Sequence, residues 1–243
     1  MTNIWSMTDT GLVRRENQDA YAVKTVCGHT ICVVCDGMGG SAGGKLASRL
    51  AVDTFVAEME KRLSPGAPAD RIREATVVSV ALANRAVREA ARSSLEYQNM
   101  GTTLVSAVSF DGGAVISNVG DSRAYHITRD RIVQVTRDHS LVEHMVERGD
   151  ITAEEARRHP NRNLITRALG PDVDPECDCY TCQLLPGDFL LLCTDGLVNT
   201  VTDEEIMREV LHGDTNTCME RLLAISKSRG ASDNVTVVLA RKL

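Results

Sequence analysis

Four aspartates stand where apolar runs stop or start. Asp36 closes ICVVC and precedes Gly37, and Asp195 closes FLLLCT and precedes Gly196. Asp121 follows VISNVG, and Asp233 comes just before NVTVVLARK. A fifth, Asp19, stands ahead of what reads as the first strand. Singly, each fits an ordinary turn, where Asp and Gly are common. As a set they point to other chemistry, because strand ends that share one edge of a packed sheet converge. Two bare carboxylates about 4 Å apart repel by roughly 4 kcal/mol at an effective dielectric of 20. Such a cluster survives only with protons or cations on it. An all-oxygen set selects a hard ion, Mg2+ or Mn2+, over zinc.

The elements that must position these groups follow from the residue pattern. Residues 20–26 and 29–35 form two strands of a hairpin about Cys27-Gly28. The glycine-rich DGMGGSAGG reads as a turn that opens into a helix from about Lys45, with Ala47, Leu50, Ala51, Phe55 and Met59 on one face. SPGAPA (64–69) breaks that helix. A second helix follows from about Asp70 to Ser93, with Ile72, Ala75, Ser79, Leu82, Ala86 and Ala90 on its stripe. Short strands come after residue 102, separated by Gly- and Asp-rich turns that imply antiparallel neighbours. Residues 140–160 are charged and helical without a strong apolar face, as in a surface excursion. FLLLCTD is a fully buried strand, and helices near 203–211 and 214–228 precede the last strand. The order is α+β with antiparallel sheets, not a βαβ alternation.

Composition narrows the class. The 243 residues, with no Pro/Gly/Ser-rich linker, suit a single domain over 1–243 with a core of its own. A net charge of −6 argues against nucleic acid or an anionic membrane as the main partner, although a few local cations can still bind a phosphorylated one. No apolar run approaches the roughly 20 residues of a membrane span, and MTNIWSMTDTG lacks the basic and apolar regions of a secretory signal. Eight cysteines, several inside apolar runs, fit free thiols in a reducing cytoplasm better than a disulfide framework.

Other chemistries fail on spacing. GGSAGGKL (39–46) nearly spells a phosphate loop, but Leu46 replaces the hydroxyl that would ligate Mg2+. Cys32 and Cys35 lie three apart in a strand, so they face opposite sides and cannot share an ion. Cys177, Cys179 and Cys182 crowd one exposed-looking stretch and read as adventitious thiols, with redox sensitivity or a soft-metal site as the lesser reading. No cysteine has Arg six residues later, Asp172-Val-Asp174 is followed by Pro-Glu, and HExxH is missing. His139, in TRDHS, lacks a partner at ligand spacing and reads as structural.

Eight segments in order across the chain resemble the metal-dependent protein phosphatases of type 2C in their bacterial form. They are GLVRRENQDA, VVCDGMGG, MGTTLV, NVGDSRAY, TRDHS, NLITRALG, LLPGDFLLLCTDGL and SDNVTVVL. The resemblance implies a four-layer αββα sandwich, two central antiparallel sheets flanked by helix pairs, with the metal site at one end. It implies that Asp36 bridges two Mn2+ or Mg2+ ions, aided by the Gly37 carbonyl, and that Asp195 and Asp233 complete the first ion's sphere. Asp19 would hold coordinated water, and Asp121 with Asp195 would hold a third ion. Arg14 matches the phosphate-binding arginine, whose planar fork suits two oxygens at once. Residues 140–162 match the variable flap implicated in substrate choice. Gln18 stands where many members carry Glu, and Met38 where animal members carry a histidine proposed as general acid.

The activity implied is hydrolysis of phosphoserine and phosphothreonine in proteins by a water-derived nucleophile between the ions. A cytoplasmic monomer opposing a bacterial Ser/Thr protein kinase is the setting it suggests. Two other readings are a catalytically silent phosphoprotein-binding module and a phosphatase acting on an anti-sigma-factor antagonist. The retained set Asp36, Asp195 and Asp233 speaks against the first.

Overall fold

The computed structural model describes residues 2–242, so residues 1 and 243 of the predicted domain lie outside it, as do the side chains of Thr2, Ser41 and Ala42. The chain begins with Thr2–Asp9 (β1), Ala20–Val26 (β2), His29–Cys35 (β3), Gly37–Met38 (β4), Gly40–Arg62 (α1) and Ala69–Ala91 (α2). Then come Gly101–Thr102 (β5), Leu104–Phe110 (β6), Gly113–Val119 (β7), Arg123–Ile127 (β8), Ile132–Gln134 (β9), Leu141–Glu147 (α3) and Ala153–Arg158 (α4). Asp178–Gln183 (β10), Phe189–Cys193 (β11), Asp195–Val198 (α5), Asp203–His212 (α6), Cys218–Ser228 (α7) and Val235–Lys242 (β12) complete it. One sheet has the order β1-β12-β11-β8-β9 and the other β10-β7-β6-β3-β2, while β4 and β5 form a small third pair. All pairings are antiparallel.

The four layers follow from strand alternation. In β3, Ile31, Val33 and Cys35 join Phe55, Met59, Ile72 and Val87 of α1 and α2. Cys32 and Val34 point the other way, into a layer between the sheets with Val105, Ile116, Leu192 and Val238. In β11, Leu191 and Cys193 pack on Ile206, Val210 and Leu222 of α6 and α7. Strands buried on both faces read as unbroken apolar runs, because neither face needs polar residues. Cys32 and Cys35 are thus divided between two layers, as their spacing predicts.

Several details differ from the sequence reading. Helix α1 starts at Gly40, not near Lys45. Glycine disfavours helix by about 1 kcal/mol against alanine, but here Gly43 packs on Met100 and Gly44 on Gly37 and Gln18, where no side chain fits. The buried stripe of α2 is rotated toward Thr76, Val80, Ala83, Asn84 and Val87, leaving Leu82 and Ala86 part-exposed. Burial of Asn84 is made tolerable by its bonds, since its amide donates to the Asp172 and Val173 carbonyls and accepts from Gly170 N–H. Asp19 precedes the second strand, because residues 2–9 form β1. β7 and β8 are not neighbours, since Gly120-Asp121-Ser122 carries the chain from one sheet to the other. The cysteine-rich stretch after residue 177 is an edge strand, β10. The 140–160 segment is helical and largely exposed, with Val142 buried in α3 and nothing buried in α4.

Gly37 shows how tightly the helix start is held to the strand ends. A Cβ there would collide with the Gly44 carbonyl and the Gln18 carbonyl, both backbone atoms that cannot swing aside. Gly37→Ala is expected to destabilise the fold by roughly 1–3 kcal/mol, as overpacking does. The urea midpoint measures this, and an unchanged midpoint would contradict the packing described.

Candidate metal centre

Strand register brings the five aspartates to one end of the sandwich. Ala20 pairs with Cys35, which sets Asp19 beside Asp36. Cys193 pairs with Val237 and Thr194 N–H donates to the Thr236 carbonyl, which brings Asp195 beside Asp233. Cys193 also pairs with Arg123, two residues beyond Asp121. Thr103 N–H donates to the Asp36 carbonyl, Thr103 Oγ1 accepts from Asp36 N–H, and Thr103 shares a hydroxyl bond of 2.7 Å with Ser122. That threonine joins the first strand end to the crossover carrying Asp121.

Beneath the cluster a chain of hydroxyls serves Asp19. Thr194 and Thr236 both donate to its Oδ2, at 2.9 and 2.7 Å. Thr8 stands 2.7 Å from Thr236 and accepts from Asn17, so the chain is polarised toward the carboxylate. Asn234 clamps the entering loop, donating to the Thr10 and Glu16 carbonyls and accepting from Gln18 N–H. These residues were missed as site residues in the sequence, although Asn234 lies inside the SDNVTVVL segment and the threonines stand at strand ends.

Burial and mutual repulsion dominate the electrostatics. Burial, with Asp195 and Asp233 adding to it and the two threonine bonds opposing, lifts Asp19 from 3.8 to about 7. Burial and then the charges of Asp19, Asp195, Asp121 and Asp233 push Asp36 well above the usual carboxylate range. Burial and Asp195 do the same to Asp121, and burial and Asp233 raise Asp195. Asp19 Oδ1 and Asp195 Oδ1 are buried with no hydrogen-bond partner.

Among the described residues, no three acid, imidazole or thiol groups converge at ligating geometry, so the cluster is open rather than a closed cage. Part of the reason is visible. Asp233 is turned toward Arg14, whose Nη2 lies 2.7 Å from its Oδ2, and Asn199 holds Asp195 Oδ2 at 2.9 Å. Orphaned carboxyl oxygens whose acids burial pushes toward the protonated form nonetheless suit hard cations, which can take the place of protons.

Above the cluster lies a cleft of about 640 Å3, lined by Arg14, Asp36, Asp121, Asp195 and Asp233 among others. The Arg14 side chain is 55% exposed, so its ion pair with Asp233 is weak and exchangeable. Met38 lines the cleft and offers no proton. Gln18 Nε2 donates to Gly40 O and to Glu16 Oε1, so Glu16 returns a carboxylate to this wall. His139 is structural, as read from sequence, and 4% exposed. Its Nδ1 accepts from Gly120 N–H at 3.0 Å, so Nε2 carries the proton and faces Asp178 at 3.2 Å. Arg123 holds Asp138 bidentately behind Asp121.

This architecture is that of metal-dependent Ser/Thr phosphatases. The structure superposes on the serine/threonine phosphatase Stp1 from Staphylococcus aureus with a TM-score of 0.94 and 36% identity, covering 100% of this chain and 96% of that one. It also matches the catalytic domain of the phosphatase PstP solved in complex with two manganese ions, with a TM-score of 0.83, 30% identity and coverage of 99% and 97%. The chain belongs to the protein phosphatase 2C family, whose model matches residues 13–239. In sequence it is 36% identical to the serine/threonine phosphatase stp of Listeria innocua over 238 residues, 97% of this chain and 94% of that protein.

The raised acids make a pH prediction for the metal-free protein. A carboxyl whose pKa is higher folded than unfolded binds its proton more tightly in the fold. It therefore stabilises the fold at low pH, and that stabilisation is lost as pH rises from 3.8 to about 7 for Asp19. Chelated protein should show this component as a melting temperature that falls across that window. Mn2+ should raise the melting temperature more at the upper end than at the lower. A Mn2+ effect that does not grow with pH would contradict the cluster.

Proposed function

We propose that this chain hydrolyses phosphoserine and phosphothreonine in proteins, using ions held by the acidic cluster. The observation that carries the reading is the set of buried, partnerless carboxylate oxygens under an open cleft with a half-exposed guanidinium at its edge. Membership of the family supports it. Asp36, Asp195 and Asp233 with the Gly37 carbonyl would hold two Mn2+ or Mg2+ ions, Asp121 with Asp195 a third, and Asp19 would orient water there. When bound, such ions supply an acidified water as nucleophile and offset charge on the phosphoryl group.

The chain's own residues do the rest. Arg14 leaves Asp233 and forks two phosphate oxygens, which frees the Asp233 oxygen. The hydroxyls of Thr194 and Thr236 keep Asp19 oriented while the cluster gives up its protons. With Met38 unable to protonate the leaving alkoxide, water in the open cleft does so. Residues 1–243 act as one catalytic domain, with 140–162 as a flap. The flap is joined to the site through the Ser140–Ile165 bridge, and Asn163 and Ile165 line the cleft, which supports a part in substrate choice.

Phosphoproteins, including a Ser/Thr protein kinase, are the partners we infer for a cytoplasmic monomer. No helix among the described residues is long and apolar enough to cross a membrane. Retention of the whole acidic set disfavours a silent binding module, and no observation favours an anti-sigma-factor antagonist as target.

Phosphate release from a phosphoserine peptide should depend on Mn2+ and stop with EDTA. Asp195→Asn should lower kcat by at least on the order of a hundredfold while the far-ultraviolet spectrum stays unchanged. Turnover indifferent to chelation, or an active Asp195→Asn, would refute the reading.

A further inference from the structure

Neither the proposed activity nor the family membership accounts for Cys177, just ahead of β10, or for Cys179 and Cys182 within it. Alternation puts Cys177 and Cys179 on one side and Cys182 on the other. Cys177 packs against the α1/α2 layer, whereas Cys182 is buried between the sheets. β10 is an edge strand, and both Cys177 and Cys179 are half-buried. Arg73 of α2 reaches over the strand, with Nη1 donating to the Cys179 carbonyl at 2.8 Å and Nη2 to Thr181 Oγ1 at 2.7 Å. The two thiols stand two residues apart on the same side, and Cys177 Sγ donates to the Asp178 carbonyl at 3.7 Å. The neighbouring Cys177 thiol, with the Arg73 charge, draws Cys179 below the ordinary thiol range despite its burial. The neighbouring Cys179, then burial, pushes Cys177 up. Burial raises Cys32, Cys35, Cys182, Cys193 and Cys218. Cys179 is therefore the activated thiol, with a second thiol two residues away on the same side.

The residue between them matters. Asp178 accepts from Tyr180 OH at 3.2 Å and from Arg167 Nη1 at 3.0 Å, besides facing His139 Nε2. His139 in turn fixes Gly120 through both Nδ1 and its own backbone N–H, which donates to the Gly120 carbonyl at 2.9 Å. Gly120, at φ 108, begins the crossover that presents Asp121. One side-chain relay thus runs from the cysteine pair to the cleft.

We propose that Cys177 and Cys179 form a peroxide-reactive pair whose disulfide buckles β10 at Asp178 and loosens His139 from the Asp121 crossover. The Cys179 thiolate attacks one peroxide oxygen, the O–O bond breaks and hydroxide leaves, making a sulfenic acid. The Cys177 sulfur then attacks the Cys179 sulfur, the S–O bond breaks, and the departing hydroxide takes the Cys177 proton as water. Two thiols lose two electrons and hydrogen peroxide becomes two waters. Alternate residues of a strand lie about 6.6 Å apart, at the upper end of the roughly 4.4–6.8 Å at which disulfides form. Closure therefore shortens the strand locally, and Asp178 stands at the point that must move.

The test uses the full chain with Cys27→Ser, which removes the exposed thiol, and stoichiometric hydrogen peroxide. The protein should lose the mass of two hydrogen atoms, with the link mapped to Cys177–Cys179 and reversed by dithiothreitol. Adding Cys177→Ser should stop the reaction at a sulfenic acid on Cys179, trapped by dimedone. Adding Cys179→Ser should slow oxidation by on the order of tenfold or more. Oxidised protein should exchange the Gly120 and Asp121 amides at least about tenfold faster than reduced protein. Oxidation elsewhere at an equal rate would overturn the site. A formed disulfide with unchanged exchange at Gly120 would overturn the relay. Neither readout requires phosphatase activity, so failure here is separable from failure of the proposed function.

Discussion

Repulsion among buried acids is the constraint around which this molecule is organised. Register and the crossover at Gly120 leave Asp19, Asp36, Asp121, Asp195 and Asp233 no way to separate without breaking sheet pairings. Each close pair of ionised carboxylates would be unfavourable by roughly 4 kcal/mol, a large fraction of a typical domain's stability of 5–15 kcal/mol. The fold tolerates them by keeping protons on several and by bonding Asp19 to two threonines. A divalent ion resolves the same conflict more completely, and that exchange of protons for metal links folding to chemistry.

The scaffold answers the need for rigidity with layers. Sheets buried on both faces and backed by helix pairs hold the strand ends in place, while the short β4–β5 pair and Thr103 tie Asp36 to its neighbours. Exposure is concentrated at the rim. Arg14 is exposed and held by a single surface ion pair, and the helices of 141–158 rest on few buried side chains. A fixed anionic floor with an exposed cation and a lightly buried helical segment beside it suits substrates that differ in everything except a phosphoryl group.

Much of this was legible in the sequence because the informative residues stand at element ends. Asp36 and Asp195 end runs whose unbroken apolar character marks them as buried strands, and the split of Cys32 and Cys35 follows from alternation alone. What was not legible depends on distant contacts. Gly43 and Gly44 look like a turn until Met100 and Gly37 press on them, so the start of α1 was placed too late. Asn84 looks like a surface residue until the 170–173 loop supplies its partners. β1 and β10 are edge strands whose pairing partners, β12 and β7, lie far along the chain. The turn from Asp233 to Arg14 is set by charge in the assembled site, which no local pattern encodes.

The most direct measurement of the central claim is the proton count on metal binding, from calorimetric Mn2+ titrations in buffers of differing ionisation enthalpy. If ions replace protons on the cluster, binding releases protons below about pH 7, and the release shrinks as pH rises past the value set by Asp19. Asp36→Asn should diminish both binding and release. Mn2+ binding without proton release at low pH, or binding indifferent to Asp36→Asn, would contradict the account.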